Sequence, residues 1–356
     1  MKIILLADYY ETYLENFYKK NSCESMKYNE HLEFLLDDYF GSFVSYYRHF
    51  NIIGHKTILI IGNDYKLQNK WLKENGYNFK ADNTTKQKVA FEQIKQFDPE
   101  IFFMGSMFDY YGDFLSKVSK ITKNIFTWIS CPYNANLDFS NIKCVISSSI
   151  KYVDAFKRKG LNSELLGAAF DADILQKIDN SKKYEISFIG GLSKTHKERV
   201  DNLKKLIQKN VDITLFGYGL KGSFFGLFKS PLKKVYKGEL WGLEMYETLA
   251  QSCISLNFHI KEANGLSGNM RMYEATGCGS LLFSENTSDL PSLFEPNKEI
   301  IPYDTIDDLI SKINYYTLHK DEAKIIAKNG QKKCLEQYGY DKRIIDFEKI
   351  IYKYKE

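Results

Sequence analysis

Short apolar runs alternate with stretches of helical period along almost the whole chain. The first run, 2–7 (KIILLA), places five apolar residues in a row after Lys2. A run this short and continuous reads as a strand buried on both faces. Further strands are predicted at 57–62 (TILIIG), 100–104 (EIFFM), 124–129 and 144–147. Between them, apolar residues recurring every three or four positions predict helices over 11–20, 29–50, 66–75, 86–97, 113–122 and 149–159. The pattern loosens in the polar stretch 171–183 (DADILQKIDNSKK) and then restarts. Strands are predicted at 186–189, 212–216, 254–257 and 280–283, and helices over 196–208, 243–251, 269–276, 306–316, 320–339 and 341–354.

Strands alternating with helices of ~10–15 residues mean parallel sheets covered on both faces. The expected class is α/β, with two doubly wound, Rossmann-like domains facing each other across a cleft. The boundaries predicted are 1–178, 179–339 and a terminal segment, 340–356, that returns as a helix onto the first domain. Folds of this kind bind ligands at the carboxyl ends of their strands.

Composition narrows the class. Of 356 residues, 44% are hydrophobic and 26% charged, the make-up of a globular chain. No stretch approaches the ~20 apolar residues that span a bilayer, and the opening segment reads as a strand, not a signal peptide. Cys23, Cys131, Cys144, Cys253, Cys278 and Cys334 are scattered without metal-ligand spacing, which suits reduced thiols in the cytoplasm. A net charge of +4 with no basic tail argues for no nucleic-acid partner. Arg stands only at positions 48, 158, 199, 271 and 343, in a chain where Lys fills the other basic positions. Against that bias the forked guanidinium marks Arg199 and Arg271 for attention.

The chemistry concentrates in 265–285 (GLSGNMRMYEATGCGSLLFSE). Ser267 and Gly268 read as caps of a helix running from Asn269, whose first amides present unpaired N–H groups and a positive dipole end, a seat for phosphate. Arg271, in the first turn, can add charge-assisted bonds to a diphosphate, and Glu274, on the same face, can accept ribose hydroxyls. A plain surface Arg–Glu pair is the alternative.

Residues 273–282 (YEATGCGSLL) resemble the nucleotide-sugar segment of group 1 glycosyltransferases. Residues 236–242 (YKGELWG), 254–259 (ISLNFH), 271–279 and 293–303 (LFEPNKEIIPY) resemble the CgeB-like subgroup, starting from 187–199 (SFIGGLSKTHKER). The resemblance covers the second half and implies the GT-B architecture, with a nucleotide-sugar donor, UDP-sugar first, in that half. It implies a glycan, lipid-linked or protein acceptor in the first half, in surface polysaccharide or glycoconjugate synthesis. Gly190 and Gly191 would lie near the diphosphate with Lys194 and Arg199 as cations. Phe216, Gly217, Gly238 and Leu240 would frame the base. His259 and Asn269 would approach sugar or phosphate, Arg271 the diphosphate and Glu274 the ribose. Many retaining relatives carry a second Glu eight positions earlier. Leu266 stands there instead, and Glu262 is at the wrong spacing, so the stereochemical outcome stays open.

An inverting reaction needs a base, for which Asp8 and Asp109 are candidates, with Asp113 beside them. Each also reads as a helix cap or solvated loop residue. His31, His49 and His55 read as surface or core histidines. Two rival motifs are weaker. Gly217, Gly219 and Gly222 match GxGxxG, but the following SFFGLFKSP is a poor helix for a dinucleotide site. Asp171 and Asp173 match a metal-binding DxD, but they sit at the expected domain junction, where a cap or linker suffices. No metal is expected, since Arg271, Lys194 and the helix end supply positive charge. Lys and Phe interleaved over 221–237 suit either peripheral contact with an anionic membrane or a flexible loop whose aromatics pack back on the domain. Other readings are a nucleotide-sugar-binding protein without turnover, a nucleotide-sugar epimerase and a nicotinamide-dependent dehydrogenase.

Overall fold

The computed structural model describes residues 1–105, 107–134, 136–193, 196–219, 230–259 and 267–356. The chain divides into two compact units, Met1–Gly167 with Tyr340–Glu356, and Ala168–Gly339. The division falls at 167/168, not at the 178/179 expected. The polar stretch taken as a linker belongs to the second unit. There Asp171 caps a 3-10 turn, Ala172–Gln176, and Lys182 donates to the carbonyls of Ala250 and Ser252 at 2.8 Å.

The first unit carries a six-stranded parallel sheet in the order β2-β1-β3-β4-β5-β6. Its strands are β1 Lys2–Ala7, β2 Lys56–Ile61, β3 Ile101–Met104, β4 Ile125–Trp128, β5 Cys144–Ser147 and β6 Ser163–Leu165. Ile3 to Leu6 are fully buried because helices cover both faces of this inner strand. The single helix expected over 29–50 is two, Tyr28–Leu36 and Ser42–Ile52. The chain turns between them through left-handed Tyr39 (φ 52°) and Gly41 (φ 77°), and Arg48 clasps the turn from Nη1 to Tyr39 Oη at 2.9 Å. The apolar period runs on through Tyr39 and Phe40 and so hid the break.

The helix Tyr340–Tyr354 packs on Ser42–Ile52. Phe347 meets Tyr46 at 5.3 Å and Phe50 at 5.2 Å between ring centroids, and His55 Nε2 bonds Glu348 at 2.8 Å.

The second unit has five parallel strands in the order β11-β10-β9-β7-β8. They are β7 Tyr184–Ile189, β8 Ile213–Phe216, β9 Ser252–Asn257, β10 Leu281–Glu285 and β11 Ile301–Tyr303. Its core joins Ile186, Phe188, Leu215, Ile254, Leu256 and Phe283 under the helices Lys197–Gln208 and Ile306–Leu318. The two strands missing from the sequence reading, β6 and β11, are three-residue edge strands (SEL and IPY), too short to show a period.

Candidate functional site

In the second unit the chain runs from β7 outward to β8 and returns to the other side of β7 as β9. The crossover between β7 and β9 is the place where such sheets bind ligands. Gly190 and Gly191 leave β7 there, and Phe258 and His259 leave β9. Arg199, on the helix Lys197–Gln208, donates from Nη1 to the carbonyl of Gly191 at 3.0 Å and from Nη2 to that of Phe258 at 2.9 Å. Burial pushes its pKa below the usual arginine value. Both arms of the fork are taken by backbone, so Arg199 ties the two loops together instead of standing open as a cation for phosphate.

The loop after β8 lies against the loop after β7. Gly190 N–H donates to Phe216 O at 3.1 Å, and a Cβ on Gly217 would fall 1.9 Å from Gly190 O. Gly217 N–H donates to Gly238 O at 2.9 Å and Tyr236 Oη to Gly217 O at 2.9 Å. Gly238, at φ 112°, has open space around it, Leu240 is half-buried, and Tyr218 stacks on Trp241 with centroids 5.6 Å apart. The segments expected to frame a base are therefore hydrogen-bonded side by side.

Asn269 caps the helix Met270–Gly277, accepting from Met272 N–H at 3.3 Å, while its own amide donates to Asn257 Oδ1 at 2.9 Å. That bond fixes the helix N-terminus to the end of β9. Arg271 Nη1 lies 2.9 Å from Glu274 Oε2, with side chains 18% and 10% exposed, so the alternative of a solvated surface pair fails. Nη1 is close enough for an ion pair but poorly aligned for a hydrogen bond, which leaves it unsatisfied as a donor. Nη2 donates to Met245 Sδ at 3.2 Å.

His259 N–H donates to Glu285 Oε2 at 2.6 Å, and its Nε2 lies 3.2 Å from Ser284 Oγ. Burial pushes its pKa down to about 4, with Arg199 adding to that and Asp289 opposing it, so the ring is neutral at pH 7. Burial also raises the Glu285 carboxyl. Asp289 holds the loop before the helix, accepting Ser267 N–H at 2.9 and 3.0 Å.

In the first unit the corresponding crossover lies between β1 and β3. Asp8 follows β1, and Met107 to Gly112 follow β3. Asp8 Oδ1 accepts Tyr110 Oη at 2.7 Å, and Oδ2 accepts Lys86 Nζ at 3.1 Å. Lys86 opens the helix Lys86–Phe97 and also reaches Asp109 Oδ1 at 3.1 Å. Asp8 is neither a cap nor a solvated loop residue, which corrects both ordinary readings of it. Burial raises its pKa, against the lowering effect of Tyr110 and Lys86. Gly62 makes the room: a Cβ there would lie 1.9 Å from Tyr110 Oη and 2.8 Å from Asp8 Oδ1. Asp109 is half-exposed, and Asp113 is a solvated residue 4.0 Å from Lys117.

Residues 196–349 match a family model described as glycosyl transferase-like. The matched segment starts at the end of β7's loop and takes in β8 to β11 and most of the terminal helix. Among solved structures, a glycosyltransferase from Rickettsia africae ESF-5 is similar at 15% identity, covering 99% of this chain and 98% of that one, with a TM-score of 0.60. Anabaena Alr3699/HepE in complex with UDP is similar at 12%, covering 99% and 100%, TM-score 0.60. AviGT4, a glycosyltransferase involved in avilamycin A biosynthesis, is similar at 11%, covering 99% and 98%, TM-score 0.61. At these identities the likeness is one of fold, and the two parallel-sheet units match those of GT-B glycosyltransferases. No curated protein sequence matches the chain.

Within the matched segment, sequence reasoning missed Asn257, Ser284, Glu285 and Asp289, and read Ser267 only as a helix cap, the role that Asn269 takes. The signal available was position: Asn257, Ser284 and Glu285 end β9 and β10, at the carboxyl edge where ligands bind. Asp171 Oδ1 accepts Asp173 N–H at 3.2 Å, a cap, and the described residues hold no group of acidic, His or Cys side chains fit for a metal. His31 is buried with Nε2 2.9 Å from Tyr18 Oη, and His49 stacks on Tyr340. Lys194, Gly222, Glu262 and Leu266 lie outside the described residues, as does most of the 221–237 stretch read for membrane contact. No helix among the described residues is long and apolar enough to cross a membrane. Two open clefts in the first unit, of about 390 and 540 Å³, lie elsewhere. The smaller is lined by Glu100 and Asn124 at the amino ends of β3 and β4, the larger by Trp71, Tyr28 and the edge strand β2.

Proposed function

We propose that this chain is a glycosyltransferase that moves a hexose-type sugar from a UDP-sugar onto a glycan, lipid-linked or protein acceptor, in surface polysaccharide or glycoconjugate synthesis. The second unit takes the donor and the first the acceptor. The reading also places the chain with the CgeB-like subgroup, in the bacterial cytoplasm, at the inner face of the membrane where the acceptor requires it.

The observation that carries the reading is the β7/β9 crossover. Gly217 brings the loop after β8 against the backbone of Gly190 there, and Asn257 fixes a helix N-terminus beside it, at the start of and within the stretch 196–349 that matches a glycosyl transferase-like family model. As the sugar–phosphate bond breaks, charge grows on the leaving diphosphate. The first amides of Met270–Gly277 and the Arg271 guanidinium meet that charge, so the reading calls for no metal. Glu274 orients Arg271 and takes the ribose. Neutral His259 offers a hydrogen bond to the sugar. Asp8, with a pKa raised by burial, serves as base to the acceptor hydroxyl in an inverting reaction.

Calorimetry and UDP-release assays test this with UDP-, GDP-, dTDP- and CMP-sugars against NAD. UDP-glucose is expected to bind, NAD is not, and Arg271→Ala is expected to lower turnover by ~10²–10³-fold at a temperature where the variant is still folded, since it also strands the largely buried Glu274 and lowers the melting temperature. Unchanged turnover removes Arg271 from the reaction. Donor binding with no UDP release under any acceptor favours a binding protein, and NAD binding in its place ends the reading.

A further inference from the structure

The β1/β3 crossover of the first unit has a charge pattern that selects what can approach it. Its cation, Lys86, is shared between Asp8 and Asp109 at 3.1 Å each and is 11% exposed. Two carboxylates against one shared ammonium leave this edge acidic. The same two loops present aromatic surface to solvent: Tyr10 is 57% exposed after β1, and Phe108 and Tyr111 are 42% and 51% exposed after β3.

Carboxylates accept hydroxyl protons, and aromatic rings cover the apolar C–H faces of pyranose rings. The two together fit a polyol with no charge of its own. A phosphate, diphosphate or uronate would meet like charge in a partly buried setting, where Lys86 is already engaged by two carboxylates.

We propose that this edge admits an uncharged carbohydrate acceptor, with Asp8 and Asp109 taking its hydroxyls and Tyr10, Phe108 and Tyr111 its ring faces, and rejects anionic acceptors through the carboxylates around Lys86. The proposal rests on the reading of the first unit as the acceptor side. It favours a neutral glycan end over a lipid diphosphate at the reacting position, and it makes Asp109 the residue that reads charge.

The test uses the full chain and matched oligosaccharides: neutral hexose chains, the same chains ending in a uronic acid, and the same chains phosphorylated. The wild-type protein is expected to bind the neutral chains about tenfold or more tightly than either anionic set, and high salt is expected to narrow that gap. Asp109→Lys, at a half-exposed position, is expected to close or reverse the preference by about tenfold, with the fold of the variant checked by its unfolding curve because the new ammonium faces Lys86. Equal or tighter binding of anionic chains by the wild type, an unchanged preference in Asp109→Lys, or no glycan binding at all overturns the proposal. UDP-glucose binding is read in the same samples. A chain that binds UDP-glucose yet prefers anionic glycans loses only this inference, whereas a chain that fails to bind UDP-glucose loses the donor reading.

Discussion

The two units place a strand crossover at the carboxyl edge of a parallel sheet, and they furnish it in opposite ways. In the second unit the crossover is mostly backbone. Gly217 lets main chain touch the main chain of Gly190, Gly190 and Gly191 leave room for the Phe188 and His196 rings, Arg199 spends its charge on two carbonyls, and His259 is kept neutral. In the first unit it is side chain and charge: a carboxylate, an ammonium and a second carboxylate in a row, with a phenol at one end. Backbone geometry suits a ligand part that never varies, such as a diphosphate. A pattern of charges suits a ligand that must be told apart from others.

The comparison breaks first, and hardest, at Gly217. A methyl group there would lie 1.9 Å from the carbonyl oxygen of Gly190 and 3.1 Å from its carbon, and backbone has no cheap way to move. Gly217→Ala is expected to abolish UDP-glucose binding and to lower the melting temperature of the second unit. Gly238→Ala is the control. That residue has open space and only a left-handed φ of 112° against it, so the cost is about 1–2 kcal/mol and binding survives with a modest loss. Equal damage from both would mean that conformation, and not contact, shapes this loop.

The charged crossover breaks next, at Lys86. Lys86→Met strands two carboxylates, one of them largely buried, and is expected to destabilise the first unit by roughly 2–4 kcal/mol, less than a fully buried pair would lose because Asp109 is half-exposed. Denaturant unfolding would show it, and Lys86→Arg should recover much of the loss. A neutral Lys86→Met would mean that water already compensates these carboxylates.

The same contrast explains what the sequence made legible. The second unit's site is spelled in glycines, a cap and an Arg–Glu spacing, and these are local features that a linear reading finds. Arg271 and Glu274 are legible for that reason, with strand ends correct to a residue or two, whereas the cap is Asn269 and not the Ser267 or Gly268 expected. The first unit's cluster joins positions 8, 62, 86, 109 and 110. Nothing local links Lys86, at the start of an ordinary helix, to a carboxylate on the first strand. Asp8 and Asp109 could be named as candidates by their place after strands, but the lysine between them could not. Arg199 shows the opposite failure. Its rarity marked it correctly as a geometric residue, but the partners of its fork are carbonyls of Gly191 and Phe258, which carry no sequence signal.

The smallest expected effect compares one buried histidine in each unit. His31 and His259 both have pKa values pushed down to about 4 by burial, from an ordinary 6.5. The folded protein refuses a proton that the unfolded chain accepts, so each contributes a loss of stability as pH falls from about 6.5 towards 4, and none above that window. Asp8, Asp64 and Glu285 have raised pKa values and act in the other direction, which is why the comparison must be wild type against single variants. Lys66 and Lys70 add to burial at His31, whose Nδ1 has no partner for a second proton; at His259 the Asp289 carboxylate works against burial. His31→Gln is therefore expected to flatten the decline between pH 6.5 and 4.5 by up to about 2 kcal/mol, and His259→Gln by less. Unfolding measured at both pH values for the three proteins decides it. A larger effect at His259 would mean that the second crossover is drier than its exposed rim suggests, and that its imidazole is held neutral more firmly than the one in the first unit's core.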